Sequence, residues 1–291
     1  MAGFAELPEP LSGLNANDRP PPGQMRLRLL LAYEGGAFDG WQSQPNGRTV
    51  QDALERAVAE LLGERRVVHG SGRTDAGVHA LGQVAHVDVP EKRLALHAWA
   101  AALNGHLPKA LRVLEARKAP PIFHARFSAS GKVYTYRLWN ERCLHPLEVG
   151  RAWHLPVPLD VKLVRATATL LTGTHDFAGF AANRGKPEKS TERSIGKIAV
   201  FKSGPLMRLR FEGDGFLYRM VRMLTGSMVR VAQGKADMAW LEELLRYPNG
   251  RRTSYCAPAD GLYLTAVRYG IRAGKAGSAL VENAAAPSID A

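Results

Sequence analysis

The chain has 291 residues, 45% of them hydrophobic, which is enough apolar material for a real core in one large or two ordinary domains. Its 39 Lys and Arg against 27 Asp and Glu give a net charge of +12, spread along the chain rather than gathered in a tail, as suits a folded surface that follows a polyanion. Two distant cysteines, Cys143 and Cys256, exclude a disulfide framework and a zinc-ligand pattern and fit a reducing, cytoplasmic setting. The N-terminus lacks the basic flank and apolar core of a signal peptide, and no window approaches the roughly 20 apolar residues of a membrane span.

Residues 1–23 include Pro20-Pro21-Pro22 and show no periodicity, so they read as a disordered lead. Arg26–Tyr33 reads as a strand. Thr49-Val50-Gln51-Asp52 has the form of a capping box, and Val50, Leu54, Ala57, Val58, Leu61 and Leu62 then recur at helical spacing until Gly63. Arg66–His69 is expected as a strand, followed by a loop, a strand over Gly82–Val89, a helix over Ala95–Leu107 and a strand over Leu111–Ala116.

A second, similar tract of strands and helices follows. Lys132–Trp139 is expected as a strand, Val161–Leu171 as a helix, and Ser194–Lys202 with Met207–Glu212 as a hairpin. A long helix over Phe216–Gln233, a short one over Met238–Leu245 and a last strand over Gly261–Tyr269 complete it. The pattern implies an α+β protein with domains at 24–122 and 123–272 and a loose tail at 273–291, rich in Ala, Gly and Ser.

The loop Gly70-Ser-Gly-Arg-Thr-Asp-Ala-Gly-Val-His79 concentrates the chemistry. It sets one carboxylate, Asp75, among small residues, with Arg73 just before it. Gly72 and Gly77 free the backbone to turn, so the peptide before Asp75 can come close to a large planar partner. Taken alone, such an acid is most often a turn residue that hydrogen-bonds its own backbone.

In the strand from Lys132, period-two geometry puts Lys132, Tyr134, Tyr136 and Leu138 on one face. A cation and two aromatics in a row suit a surface where bases stack and phosphates pair, although tyrosines packed in a sheet are commoner. Along the helix from Phe216, Arg219, Arg222, Gly226 and Arg230 fall in one stripe. Arg222, surrounded by Met220, Val221, Met223 and Leu224, calls for a carboxylate or phosphate partner, whereas Arg230 near the helix end reads as reaching past a buried stem to water.

Together these residues resemble the tRNA pseudouridine synthase A family. The resemblance is carried by Gly40-Trp41-Gln42-Ser43-Gln44, by Arg48-Thr-Val-Gln-Asp52 and by Gly72-Arg-Thr-Asp-Ala-Gly-Val-His79. It continues through Ala125-Arg-Phe-Ser128 with Lys132, Tyr134 and Tyr136, Gly173-Thr-His-Asp-Phe177 and Met220-Val-Arg222, in order from about residue 26 to about 270. The octamer around Asp75 is the most specific of these motifs.

The resemblance implies two α/β-sandwich-like domains whose antiparallel sheets join into one extended sheet, with the active-site cleft at the junction. It also implies a homodimer acting on the anticodon stem-loop of tRNA, at uridines 38, 39 and 40, without metal, nucleotide or other cofactor. By the same matching, Asp75 is the nucleophile, attacking either the sugar C1′ or the base. Arg222 is the arginine that pairs with it, Tyr134 stacks on the target base, and Arg73 helps hold the place of the flipped nucleotide. Lys132 joins them as a substrate-binding cation. Flipping itself follows from geometry, because a stacked nucleotide hides its reacting atoms.

Three other readings compete. A pseudouridine synthase with a different RNA target would share the Asp75 motif. A non-catalytic RNA-binding protein would explain the charge but not an acid set among cations, which repels phosphate. A zinc enzyme built on His69, His79 and His86 lacks a ligand pattern.

Overall fold

Met25, Leu27, Leu29, Leu31 and Tyr33 are buried at every second position, and this alternation makes Gln24–Tyr33 a strand, β1, with one face in a core. The computed structural model describes residues 19–183, 185, 190–246 and 252–270. The expected tail and all but the last few residues of the expected lead lie outside them. The described residues contain ten strands and five α-helices, a mixed α+β architecture, and divide into two units. One unit holds residues 19–130 and 265–270, and the other holds Gly131–Leu264.

In the first unit, β1 is the middle strand. It pairs antiparallel with β3 (His79–Pro90) on one side and β4 (Leu111–Lys118) on the other, and β2 (His69–Gly70) pairs with β3. Leu29 lies opposite Ala85 of β3 and Ala116 of β4. Helix α1 (Val50–Leu62) begins where the Thr49 side chain accepts the Asp52 backbone N–H, and it ends at Gly63 with φ +78°, both as the sequence predicts. Helix α2 (Trp99–His106) packs on α1 and β4, after a single 3-10 turn at Leu96–Ala98 where the sequence suggests continuous α-helix. Leu54, Trp99, Leu103 and Leu111 are fully buried in this unit's core.

The expected strand over Arg66–His69 shrinks to the two residues of β2. The Val68 N–H, which a strand would give to a neighbouring backbone, is given instead to the buried Glu55 carboxylate of α1, 3.2 Å away.

The second unit is built on β5 (Ala129–Trp139), β9 (Leu206–Gly213), β8 (Glu192–Ser203) and β7 (Gly173–Asp176), each antiparallel to the next, with β6 (Trp153–His154) parallel to β5. The unit boundaries fall within β5 and within β10 (Leu262–Tyr269). Helix α3 (Val161–Leu170) packs against β8 and against α4 (Met220–Ala232), and α5 (Met238–Arg246) packs against α3 and β7.

Helix α4 starts at Met220, four residues later than its apolar sequence suggests. The cause is Arg219, whose φ of +58° is left-handed and stops the helix from extending backward. The arginine stripe is therefore interrupted: Arg222 and Arg230 belong to α4, and Arg219 stands just before it.

Candidate active site

The chain leaves β2 directly into the Asp75 loop, and both flanks of the loop are tied to the sheet. Ser71 donates its backbone N–H to the Val84 carbonyl (2.8 Å) and its hydroxyl to Gln83 Oε1 (2.6 Å). Gln83, fully buried on β3, donates Nε2 to the Gly72 carbonyl at 3.0 Å. The Tyr33 hydroxyl, at the end of β1, sits 2.9 Å from Thr74 Oγ1, and the Trp41 N–H donates to the Thr74 carbonyl at 3.1 Å. Beyond the turn, the Gly35 N–H donates to His79 Nδ1 at 3.0 Å. Burial pushes the Tyr33 phenol up to about 12, against the opposing hydrogen bonds from Thr74 and Gln83, so it stays a neutral strut at physiological pH.

Asp75 itself is half-buried. The Val78 N–H donates to the Asp75 carbonyl at 3.1 Å, closing a turn in which Gly77 has φ +81°. Gly77 thus supplies the backbone freedom that the sequence suggests. Gly72 does not take a left-handed φ, and its part is the carbonyl held by Gln83. Arg73 is exposed and donates Nε to Gln42 Oε1 at 3.0 Å.

Gly35 lies against the back of this turn. A Cβ added there would stand 2.3 Å from the Val78 carbonyl carbon and oxygen, and backbone on both sides leaves little room to give. Gly35→Ala is expected to lose about 1–3 kcal/mol of stability, the usual cost of overpacking, and to displace the turn that carries Asp75. Thermal melts check this, and a variant as stable as wild type would show that the turn is not held against Gly35.

In the second unit, Tyr134 on β5 lies opposite Phe211 of β9 and meets the ring of Phe216 edge-on, with centroids 5.2 Å apart. Lys132 starts the same strand face, half-buried, opposite Gly213. Tyr136, the next residue on that face, is fully buried and donates its hydroxyl to the Pro258 carbonyl at 2.7 Å. Burial pushes its phenol far above the usual range, with the nearby Arg222 charge pulling the other way.

Arg222, partly buried in α4, is clasped to the segment at 253–257. It donates Nε to the Ala257 carbonyl at 2.7 Å, and its own carbonyl accepts the Ala257 N–H at 3.1 Å. One turn along, Gly226 lets this segment approach closely, since a Cβ there would meet the Tyr255 carbonyl oxygen at 2.3 Å. Arg230 does not simply reach water as expected: its guanidinium lies 3.9 Å from the centroid of the Tyr255 ring, a cation–π contact.

The structure thus puts Arg73 and Asp75 in one loop of the first unit. It puts Lys132 and Tyr134 on one strand face of the second, with Arg222 beside Tyr136. Sequence reasoning missed Tyr33 and Gln83, which hold the loop. A glutamine in the middle of an otherwise apolar strand was the available signal for Gln83. It also missed the left-handed Arg219, whose guanidinium lies 5.0 Å over the ring of Tyr218.

The histidines of the zinc reading are divided. His69 and His86 stack with ring centroids 5.0 Å apart, and His124 lies 4.7 Å from His86, while His79 is engaged with Gly35. Burial, then the charges of Arg26, His124 and His69, push His86 down to about 2, so it remains neutral while its Nδ1 accepts the Ala125 N–H. Among the described residues no group of three His, Cys, Asp or Glu is placed to hold a metal ion, and no helix is long and apolar enough to cross a membrane.

Comparison with known proteins places the chain among relatives. A tRNA pseudouridine synthase A of Akkermansia muciniphila is 46% identical over 251 residues, covering 84% of this chain and 95% of that protein. The proteins of the same name from Methylacidiphilum infernorum and Solidesulfovibrio magneticus are 43% and 48% identical, each over more than four-fifths of this chain and more than nine-tenths of their own length. A solved Cbf5-Nop10-Gar1 complex is likened to it at a TM-score of 0.34 and 10% identity over 70% of this chain and 44% of that one, too distant to argue from. The family model described as tRNA pseudouridine synthase matches residues 30–128 and 167–270, so it takes in both the Asp75 loop and α4. With that span and this level of identity, the chain belongs to the tRNA pseudouridine synthase family.

Proposed function

We propose that this protein isomerises uridine to pseudouridine at positions 38, 39 and 40 of the tRNA anticodon stem-loop, with Asp75 as the nucleophile. The reaction breaks the N1–C1′ bond and forms a C5–C1′ bond, and the hydrogen on C5 leaves as N1 gains one. Nothing is oxidised and no second substrate is consumed, so one carboxylate with cations and an aromatic platform around the base meets its needs. The observation that carries the reading is the construction of the Asp75 loop: anchors from Tyr33, Trp41, Gln83 and Gly35 hold Gly72, Thr74 and His79 on either side of half-buried Asp75, in a chain of net charge +12. A simple phosphate-binding surface gains nothing from such an acid.

In this reading Tyr134 stacks on the extruded base, and Arg73, Lys132 and Arg222 bind the substrate. The resemblance supports a homodimer that grips one tRNA, and the exposed free thiols of Cys143 and Cys256 suit the reducing cytoplasm. Purified protein incubated with tRNA tritiated at uridine C5 should release tritium as water, with pseudouridine mapping to positions 38–40. No release, or modification elsewhere in the RNA, overturns the activity or the site assignment respectively.

Binding should also be steeply salt-dependent. Each phosphate neutralised by Lys or Arg adds about −0.7 to −0.9 to the slope of log affinity against log salt. Titrations at several salt concentrations measure this, and a flat dependence would mean that the positive charge serves another purpose.

A further inference from the structure

A continuous hydrogen-bond relay runs from the interior of α1 to the side chain of Arg73. The buried Glu55 carboxylate accepts Gln51 Nε2 at 2.9 Å. Gln51 Oε1 accepts Gln42 Nε2 at 2.9 Å and the Ser43 N–H at 3.0 Å. Gln42 Oε1 accepts Arg73 Nε at 3.0 Å. Glu55 is itself fixed by Arg65, whose Nε and Nη2 donate to Oε2 at 2.9 and 2.7 Å, and by the Val68 N–H on Oε1.

The chemistry of the two ends dictates the direction of both amides. A guanidinium can only donate, so Gln42 must turn its oxygen to Arg73. A carboxylate can only accept, so Gln51 must turn its NH2 to Glu55. The two amides then meet head to tail, and the cation at one end and the anion at the other polarise both in the same sense. Gln51 and Glu55 are 8% and 3% exposed, whereas Gln42 and Arg73 are exposed, so a buried anchor reaches outward to an arginine that stands two residues from Asp75.

We infer that Gln42 and Gln51 are positioning residues that set the plane of the Arg73 guanidinium. The inference rests on the proposed function, in which Arg73 keeps the place of the extruded nucleotide. A guanidinium is flat and stacks as a base does, but it can substitute for a base only when its plane is fixed in advance. Holding Nε restrains that plane and leaves the four N–H bonds of the two Nη groups to serve a ligand.

The test is a double-mutant cycle on tRNA turnover with Gln42→Ala, Arg73→Ala and the pair, beside Gln51→Leu. Gln42→Ala should lower kcat/KM about tenfold in the wild-type background and have no further effect in the Arg73→Ala background. Its melting temperature should stay close to wild type, because Gln42 is exposed. An equal loss in both backgrounds, or no loss in either, overturns the inference. A second measurement does not depend on activity: 15N relaxation of the Arg73 Nε–H should report an ordered group in the wild type and a mobile one in Gln42→Ala and Gln51→Leu. An Nε–H as mobile in the wild type as in these variants overturns the relay whatever the enzyme does. A wild-type protein that releases no tritium from tRNA overturns the functional reading instead, and the relaxation data still judge the relay.

Discussion

Asp75→Asn is expected to reduce pseudouridine formation by on the order of 10⁴-fold or more, the scale on which enzymes fail when a covalent nucleophile is removed. The amide has nearly the shape of the carboxylate but cannot attack carbon. The turn should survive the change, because it is closed by the Asp75 backbone carbonyl and flanked by anchors on Thr74 and His79 that do not use the carboxylate. The melting temperature should therefore stay near that of wild type. Affinity for tRNA should be unchanged or slightly tighter, since binding rests on many phosphate contacts and the substitution removes one repelling charge. Tritium release, a thermal melt and a binding titration test the three parts. Asp75→Ala guards against traces of activity from deamidated amide. Turnover above about one per cent of wild type in both variants would remove Asp75 as nucleophile, and a lost affinity with normal folding would make it a binding residue instead.

What could be read in the sequence, and what could not, divides by the range of the interaction. The alternation of β1 and the start and stop of α1 were legible because Thr49, Asp52 and Gly63 act on backbone groups within a few residues of themselves. Gly77 was legible for the same reason. The strand expected over Arg66–His69 begins only at His69 because the partner of Val68 is a side chain on α1, thirteen residues earlier, which no local pattern reports. The supports of Asp75 were invisible in the same way: Tyr33 meets Thr74, and Gln83 meets Gly72, across separate strands and loops. The sequence makes α4 too long because Phe216, Leu217 and Tyr218 continue its apolar run, while the left-handed turn at Arg219 has no compositional sign. The sequence points Arg230 to water because its partner, Tyr255, comes from a later segment drawn in by the missing side chain of Gly226. The residues proposed for the site were thus visible as residue types, and the scaffold around the Asp75 loop was not.

The two tyrosines of β5 offer the other large expected effect, and they should fail in different ways. They share a strand face, but residues two apart are separated by about 6.6 Å along a strand, so one base cannot stack on both. Tyr136 is fully buried with its hydroxyl on the Pro258 carbonyl, which makes it part of the unit's core. Tyr134 is 9% exposed and packs edge-on against Phe216, which supports its ring from the side. Tyr134→Phe keeps that ring and removes only the hydroxyl. If the hydroxyl takes part in proton removal from C5, kcat should fall by about 10²-fold or more while tRNA affinity holds; if Tyr134 only stacks, Tyr134→Phe should nearly match wild type. Tyr134→Ala should lose the stacking as well, adding about 1–3 kcal/mol of lost base contact. Tyr136→Phe should leave kcat nearly unchanged and lower stability by about 1 kcal/mol, the net value of one buried hydrogen bond. Tyr136→Ala should destabilise strongly, by about 3–5 kcal/mol, as for other large aromatic truncations in a core. Single-turnover rates, binding titrations and melts on the four variants separate these outcomes. A Tyr134→Phe variant with wild-type kcat would confine Tyr134 to stacking, and a folded Tyr136→Phe variant that has lost kcat while Tyr134→Phe keeps it would exchange the two assignments.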